Sequence, residues 1–320
     1  MASDSEIRVT LIGTGTIGLS FAAFHLSHLP SPQNLTIYDT RLDLAQYIEA
    51  TLPKFYGTDK DDQAKPLLHI HSIKLASTLQ EAVQNATIIQ ESGPENLSIK
   101  RKLWADIEEH APKHALLWSS TSGIPASQQA LDMHDKTRLL VVHPYNPPHL
   151  MPLLELVPSP ETSAQVIERT QAFWQARNRV PIHIKRETTG FVANRLAFAL
   201  LREAVHLVDE GVVSVEELDR IVESSMGPRW AVAGPFKSYH AGGGEKGLEG
   251  FFAHIGVTVQ ACWEDQGSVD VGGGWEEEVF KQAREAYGVV DVGERDRVTR
   301  RLLEVLAEEK GRTSRDPTCL

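Results

Sequence analysis

The sequence predicts an α/β protein in two domains: a parallel sheet with crossover helices over residues 1–187, then an all-helical domain over residues 188–320. Three observations lead there. The chain has 320 residues, and single cores tend to split beyond roughly 250. Its first half alternates short β-branched runs with helical stretches, the pattern of a parallel sheet and its crossovers. After "RVPIHIKRE" the strand signal stops and the apolar residues take helical spacing, which places the boundary near Glu187.

Taken in order, "IRVTLIG", "NLTIYD", "ATIIQES", "HALLWSSTS" and "RLLVVHP" read as strands, with "TIGLSFAAFHLSHL" and "ENLSIKRKLWADIEEHA" as helices between them. In the second half "TTGFVANRLAFALLREAVHLVDEG" carries helical spacing for about six turns. "SVEELDRIVESS" opens with a capping box, Ser214 followed three residues later by Glu217. The glycine clusters Gly242 to Gly244 and Gly272 to Gly274 follow no strand, so they read as loops between helices rather than phosphate cradles.

An apolar content of 41% with 23% charged residues is ordinary for a soluble globular protein. The formal charge of −11 speaks against nucleic acid or an anionic membrane surface as partner, since both require a basic face. "RLAFALLREAVHLV", the longest apolar stretch, is broken by Arg202 and Glu203 and is too short to span a bilayer. The start, "MASDSEIRV", is acidic and runs straight into a strand, so no targeting segment and a cytoplasmic address are expected. Cys262 and Cys319 stand far apart without zinc-type neighbours, and neither a disulfide framework nor a metal is expected.

Gly13, Gly15 and Gly18 follow the first strand and open the first helix. In that setting the first glycine permits the tight turn, and the second lets backbone approach a pyrophosphate. The third lets the helix pack on its strand. Thr16 and Ile17, at the helix start between the last two glycines, offer amides to the same anion. Asp39 ends the second strand twenty-one residues after Gly18, where a carboxylate accepts both ribose hydroxyls and repels a 2′-phosphate. The first domain therefore reads as a Rossmann-type fold binding NAD. Arg41, close by, is the one residue that argues for NADP.

"HPYNPPHLMPLLELV" sets His143 among prolines, with Glu155 twelve positions on. An enzyme that oxidises an alcohol with a nicotinamide needs a base for the hydroxyl proton, and neutral imidazole suits that role at cellular pH. A lone histidine at a strand end is also a common structural residue. His149 and the His69, His71 pair read as packed or solvated rather than as ligands.

The chain resembles the 3-hydroxyacyl-CoA dehydrogenase family over nearly its whole length. The likeness is dense in "QESGPENLSIKRKLW", "SSTSGIPAS", "HPYNPPHLMPLLELVPSPET", "GFVANRLAFALLREAVHLVDEGVVS" and "GPRWAVAGPFKSYH". Within the family it looks most like the L-gulonate 3-dehydrogenase or lambda-crystallin branch, and it also resembles carnitine dehydrogenase. The resemblance implies that His143 is the base and that Glu155 orients it. Ser122 and Asn194 would bind the reacting oxygen, and Glu95 and Lys100 would contact the nicotinamide end of the cofactor. By their residues alone, Glu95 and Lys100 also read as an exposed charge pair on a helix, and Ser119, Ser120 and Thr121 as polar strand-end residues. Gly93 stands where the branch usually has a larger side chain, which bears on substrate size.

The expected reaction is NAD-dependent interconversion of a small 3-hydroxy acid and its 3-keto acid. Asn146, Arg229 and Trp230 join Ser122 and Asn194 as expected substrate contacts; a surface position is the other reading of Arg229. Tyr145, Trp230, Phe236 and Tyr239 either pack between the domains or cage a trimethylammonium group, as a carnitine enzyme would require. Carnitine 3-dehydrogenase or a biosynthetic-pathway β-hydroxy acid or 3-hydroxyacyl-CoA dehydrogenase is the alternative enzyme reading, and a structural, crystallin-like or NAD-sensing protein is the alternative from another class. A homodimer through the second domain is expected from its surplus of apolar residues and from the family. Acyl-CoA thioesters are expected to be poor substrates. The segment from Asp39 to Lys65 holds six acidic residues (Asp39, Asp43, Glu49, Asp59, Asp61, Asp62) against four basic ones (Arg41, Lys54, Lys60, Lys65), and would repel the phosphates of CoA.

Overall fold

A computed structural model describes residues 7–55 and 71–315. The chain forms two compact units that divide between Arg195 and Leu196, inside a helix, whereas the strand signal in the sequence stops at Glu187. His69, Asp59, Lys60, Asp61, Asp62, Lys65 and Cys319 lie outside the described residues.

Among the described residues the first unit is built on one eight-stranded sheet: β1 (Val9–Ile12), β2 (Leu35–Tyr38), β3 (Lys74–Leu75), β4 (Ile88–Glu91), β5 (Leu116–Ser119), β6 (Leu139–Pro144), β7 (Leu153–Pro158) and β8 (Val180–His183). Their order is β3-β2-β1-β4-β5-β6-β7-β8. The strands from β1 to β6 are parallel, as expected. β7 runs antiparallel to β6, and β8 parallel to β7. The sheet is thus parallel through β6, as expected, and the strand that carries Glu155 returns antiparallel beside it. The turn between Pro144 and Leu153 is too short for a crossover, which needs a dozen residues or more, so the chain can only fold straight back.

Period-two alternation sorts the strand side chains onto two faces. Val9, Leu11, Trp118 and Leu156 pack with α1 (Thr16–His28), α2 (Leu44–Thr51) and α6 (Ala164–Gln175). Ile12, Ile89, Leu117 and Val157 pack with α3 (Leu79–Val83), α4 (Leu97–His110) and α5 (Ala126–Gln129). α4 starts where the Asn96 side chain accepts from the Ile99 amide, and it buries Lys100, Trp104 and Ile107 along one stripe. The sheet reverses its winding between β1 and β4, so the loops following these two strands border a crevice at their carboxyl ends.

The second unit is helical, as expected. α7 (Ala193–Asp209) enters it from the first unit, followed by α8 (Val215–Ser224), α9 (Met226–Val232), α10 (Pro235–Gly242), α11 (Gly247–Asp265), α12 (Glu276–Tyr287) and α13 (Val292–Arg315). The capping box forms: Ser214 accepts from the Glu217 amide while Glu217 accepts from the Ser214 amide. α7 is shorter than its periodicity suggested, because Gly190 and Phe191 take positive φ values of 71° and 54° and delay its start to Ala193. Among the described residues no helix is long and apolar enough to cross a membrane.

Candidate active site

The glycine turn is shaped by contacts that no side chain would tolerate. Gly13 has φ of +94°, and a Cβ there would lie 2.8 Å from the Ser92 carbonyl oxygen. A Cβ on Gly18 would lie 2.0 Å from the Gly13 carbonyl oxygen. Gly15 faces open space instead. It caps α1 without any side-chain hydrogen bond, and no acidic residue occupies the first turn. The amides of Thr16, Ile17 and Gly18 are therefore left at the positive end of the helix, beside room that a side chain at position 15 would begin to fill. This is the cradle a pyrophosphate requires.

Next to it lies a cleft of about 690 Å³ lined by Gly13, Gly15, Tyr38, Asp39, Gly93 and Ile99, among others. Asp39 Oδ2 accepts from the Thr14 amide (2.7 Å) and hydroxyl (2.6 Å), which ties the acid to the glycine turn. Arg41, the residue that favoured NADP, is committed elsewhere. Its guanidinium donates to both oxygens of Asp43 (2.8 and 3.3 Å) and stacks 3.3 Å above the Tyr47 ring centroid.

The second cluster stands at the hairpin of β6 and β7, where His143 and Glu155 are directly opposed. His143 Nδ1 lies 2.8 Å from Glu155 Oε2, and both residues are buried. Glu155 Oε1 accepts from the amides of Val192 (2.9 Å) and Ala193 (3.0 Å) at the start of α7. Burial pushes the Glu155 carboxyl upward, but the bonds from His143, Ala193 and Val192 outweigh it and hold the group below its ordinary range. An ionised carboxylate only accepts, so Nδ1 carries a proton and donates it to Glu155. Among the described residues Nε2 makes no hydrogen bond. The left-handed Phe191 puts its ring into the core, 5.1 Å from the imidazole, while the same turn aims the next two amides at Glu155. Backbone strain at this site therefore coincides with the placing of two functional groups.

Ser122 belongs to a third group of contacts. Glu95 Oε1 accepts from the Ser122 amide (2.6 Å), the Ser122 hydroxyl (2.9 Å) and the Thr121 hydroxyl (2.6 Å). Asn194 Nδ2 donates to the Ser122 carbonyl oxygen at 3.3 Å. Asn194 follows the two amides that hold Glu155, so the first unit links Ser122, Glu95 and Asn194 to the His143 pair. Asn146 and Tyr145 are exposed at the turn after His143. Arg229 and Trp230 belong to the second unit, exposed on α9.

Residues 8–188 match the NAD-binding domain of 3-hydroxyacyl-CoA dehydrogenase, and residues 190–266 match the C-terminal domain of the same family. The chain belongs to the 3-hydroxyacyl-CoA dehydrogenase family. Such a protein is an NAD-dependent oxidoreductase, and the first unit is its NAD-binding domain. L-carnitine dehydrogenase of Streptomyces griseus is 35% identical over 266 residues, 82% of this chain and 77% of that protein. 3-Hydroxyacyl-CoA dehydrogenase of Gibberella moniliformis is 38% identical over 267 residues, 81% of this chain and 80% of that one. Among solved structures, an NAD+-dependent dismutase, 5-formyl-3-hydroxy-2-methylpyridine 4-carboxylic acid 5-dehydrogenase, superposes with a TM-score of 0.75 at 23% identity, covering 94% of this chain and 99% of that one. That likeness concerns the fold alone.

Packing around the site decides between readings that the sequence left open and adds residues that it did not mark. Lys100 is no exposed helix charge: it is 1% exposed, and its Nζ lies 2.8 Å from both oxygens of Glu91, a fully buried acid that the sequence analysis did not single out. The available signal was a lone carboxylate closing the apolar strand "IIQE", with a lysine nine residues on. Ser119 is likewise engaged, donating to Glu91 (3.0 Å). Arg179 donates to the carbonyl oxygens of His149, Leu150 and Met151 (3.1, 3.1 and 3.3 Å), and burial brings its pKa down to about 10. Ser20 of α1 accepts from the His149 amide at 2.9 Å. Together they pin the turn after His143 to the dinucleotide-binding helix.

Proposed function

We propose that this protein oxidises the 3-hydroxyl of a small, free 3-hydroxy acid to the 3-keto acid with NAD, reversibly. The observation that carries the reading is the buried His143–Glu155 pair with an unpartnered Nε2. The amides of Thr16, Ile17 and Gly18 and the carboxylate of Asp39 would hold the cofactor. Bound NAD supplies the hydride acceptor. His143 Nε2 takes the hydroxyl proton, and the imidazolium so formed lies against a carboxylate whose other oxygen is fixed by two backbone amides. Ser122 and Asn194 hold the reacting oxygen, and Glu95 and Lys100 border the nicotinamide end. Base catalysis of this kind contributes about 10² to 10⁴ in rate, with positioning supplying more. A structural or NAD-sensing role would need no such pair.

For the substrate, an L-gulonate-like polyhydroxy acid is the first reading, and Arg229 is the cation for its carboxylate, with Asn146 and Trp230 as further contacts. L-carnitine is the second, favoured by the carnitine dehydrogenases at up to 35% identity and by the exposed aromatic residues Trp230, Phe236 and Tyr239. Both are free acids. A CoA thioester fits less well: within the described part of the acidic segment, Arg41 is already neutralised by Asp43. The protein is further proposed to be a cytoplasmic homodimer assembled through its second unit. The test is kcat/KM for L-gulonate, L-carnitine and 3-hydroxybutyryl-CoA at saturating NAD. One of the free acids is expected to lead, and a clear preference for the thioester would overturn the assignment.

A further inference from the structure

Glu91 takes no part in the reaction described above, yet it sits at the centre of the site. It ends β4, in register with Ile12 before the glycine turn on one side and with Ser119 on the other. Its Oε1 accepts from the Gly93 amide (2.7 Å) and Lys100 Nζ (2.8 Å), and its Oε2 accepts from Lys100 Nζ (2.8 Å) and the Ser119 hydroxyl (3.0 Å). Three donors on three segments thus make four hydrogen bonds to one fully buried carboxylate. A Cβ on Gly93 would lie 3.0 Å from Glu91 Oε1, tight enough to disturb the bond from its own amide. The missing side chain at position 93 therefore serves this carboxylate.

A buried ion pair is a poor source of stability, because desolvation consumes most of what the charges gain. What this one provides is position. Lys100 Nζ is 3.6 Å from Glu95 Oε2, beyond hydrogen-bond range but within reach of its charge. Glu95 in turn fixes the amide and hydroxyl of Ser122. With Glu91 in place, Lys100 is held by Glu91, and Glu95 is free to serve Ser122. Without the Glu91 charge, Glu95 becomes the one carboxylate left beside a buried ammonium, and closing on it would draw Glu95 away from Ser122.

We propose that Glu91 is a positioning residue for catalysis: it holds Lys100 so that Glu95 keeps Ser122 in place. The inference rests on the reading of Ser122 as a substrate contact. The test compares Glu91→Gln, Lys100→Met and the double variant as full-length proteins. The substrate is whichever of L-gulonate, L-carnitine and 3-hydroxybutyryl-CoA the wild type oxidises fastest. Glu91→Gln is expected to lower kcat about 10- to 100-fold while KM for NAD moves by less than about threefold, the signature of a lost transition-state contact rather than lost binding. On the Lys100→Met background the same change should add less than about threefold, because its route is already cut. Wild-type kcat in Glu91→Gln, or losses that multiply in the double variant, would overturn the proposal. Should Glu91→Gln fail to fold, the double variant, which leaves no unpaired buried charge, is compared with Lys100→Met alone: equal kcat supports the proposal and a further loss contradicts it. His143→Gln separates the two levels. If it keeps wild-type kcat, the underlying reading falls; if it is inactive while Glu91→Gln keeps wild-type kcat, this inference alone falls.

Discussion

Trp104, Trp118 and Trp174, in the unit ending at Arg195, are each wholly enclosed, whereas Trp230 and Trp263 in the unit beginning at Leu196 are 41% and 57% exposed. The contrast extends beyond tryptophan. Val205 and Val208 are the buried hydrophobic residues of the second unit among those described, while Leu196, Phe198 and Leu201 of α7 and Phe252, Ile255 and Val257 of α11 are exposed. The first unit closes two cores on its sheet and holds every hydrogen-bonded member of the site. The second has amphipathic helices with exposed apolar residues among those described. Exposed apolar surface on that scale marks an interaction site. The cover proposed is a second copy of the chain, which would make the second unit an assembly element and leave the first to carry the chemistry.

The comparison breaks if the two units respond alike to the loss of an aromatic ring. Trp118→Ala should cost about 3 to 5 kcal/mol, the range for truncating a buried aromatic. It also leaves the Thr170 hydroxyl without its indole donor. Phe198→Glu should leave the first unit folded and instead halve the mass seen by light scattering at micromolar concentration. A wild type that is already monomeric, or equal losses of stability in the two variants, would end the contrast.

A smaller effect sharpens it. Because the cofactor cleft belongs to the first unit, the Phe198→Glu variant should bind NADH about as tightly as the wild type. NAD should bind at least about tenfold tighter than NADP, roughly 1.4 kcal/mol, since Asp39 is fixed by Thr14 where a 2′-phosphate would meet like charge. Equal affinities for the two cofactors in a titration would count against Asp39 as the selector.

Local pattern carried what is local in this protein. The strands β1, β2, β4, β5 and β6, the glycine turn with Asp39, and the Ser214 capping box were legible because each is written within one stretch of chain. β3, of two residues, and the short helix α3 left too little periodicity to read. The reversal of β7 was implicit in a turn too short for a crossover. The pairing of His143 with Glu155 came from resemblance, for no spacing rule sets two residues twelve apart face to face without the hairpin between them. Glu91 was missed because composition marks an acid as exposed, and only packing shows a lysine folded back onto it. The left-handed Phe191 was hidden within a helical pattern that begins a few residues too early.

The most direct test of the central claim, that His143 held by Glu155 is the proton acceptor, is His143→Gln. Glutamine keeps a polar side chain of comparable reach but offers no basic nitrogen. The account requires kcat to fall by about 10² to 10⁴, the usual contribution of a general base, while NADH binding, measured by fluorescence titration, stays near that of the wild type. Wild-type kcat in this variant would remove His143 from the mechanism.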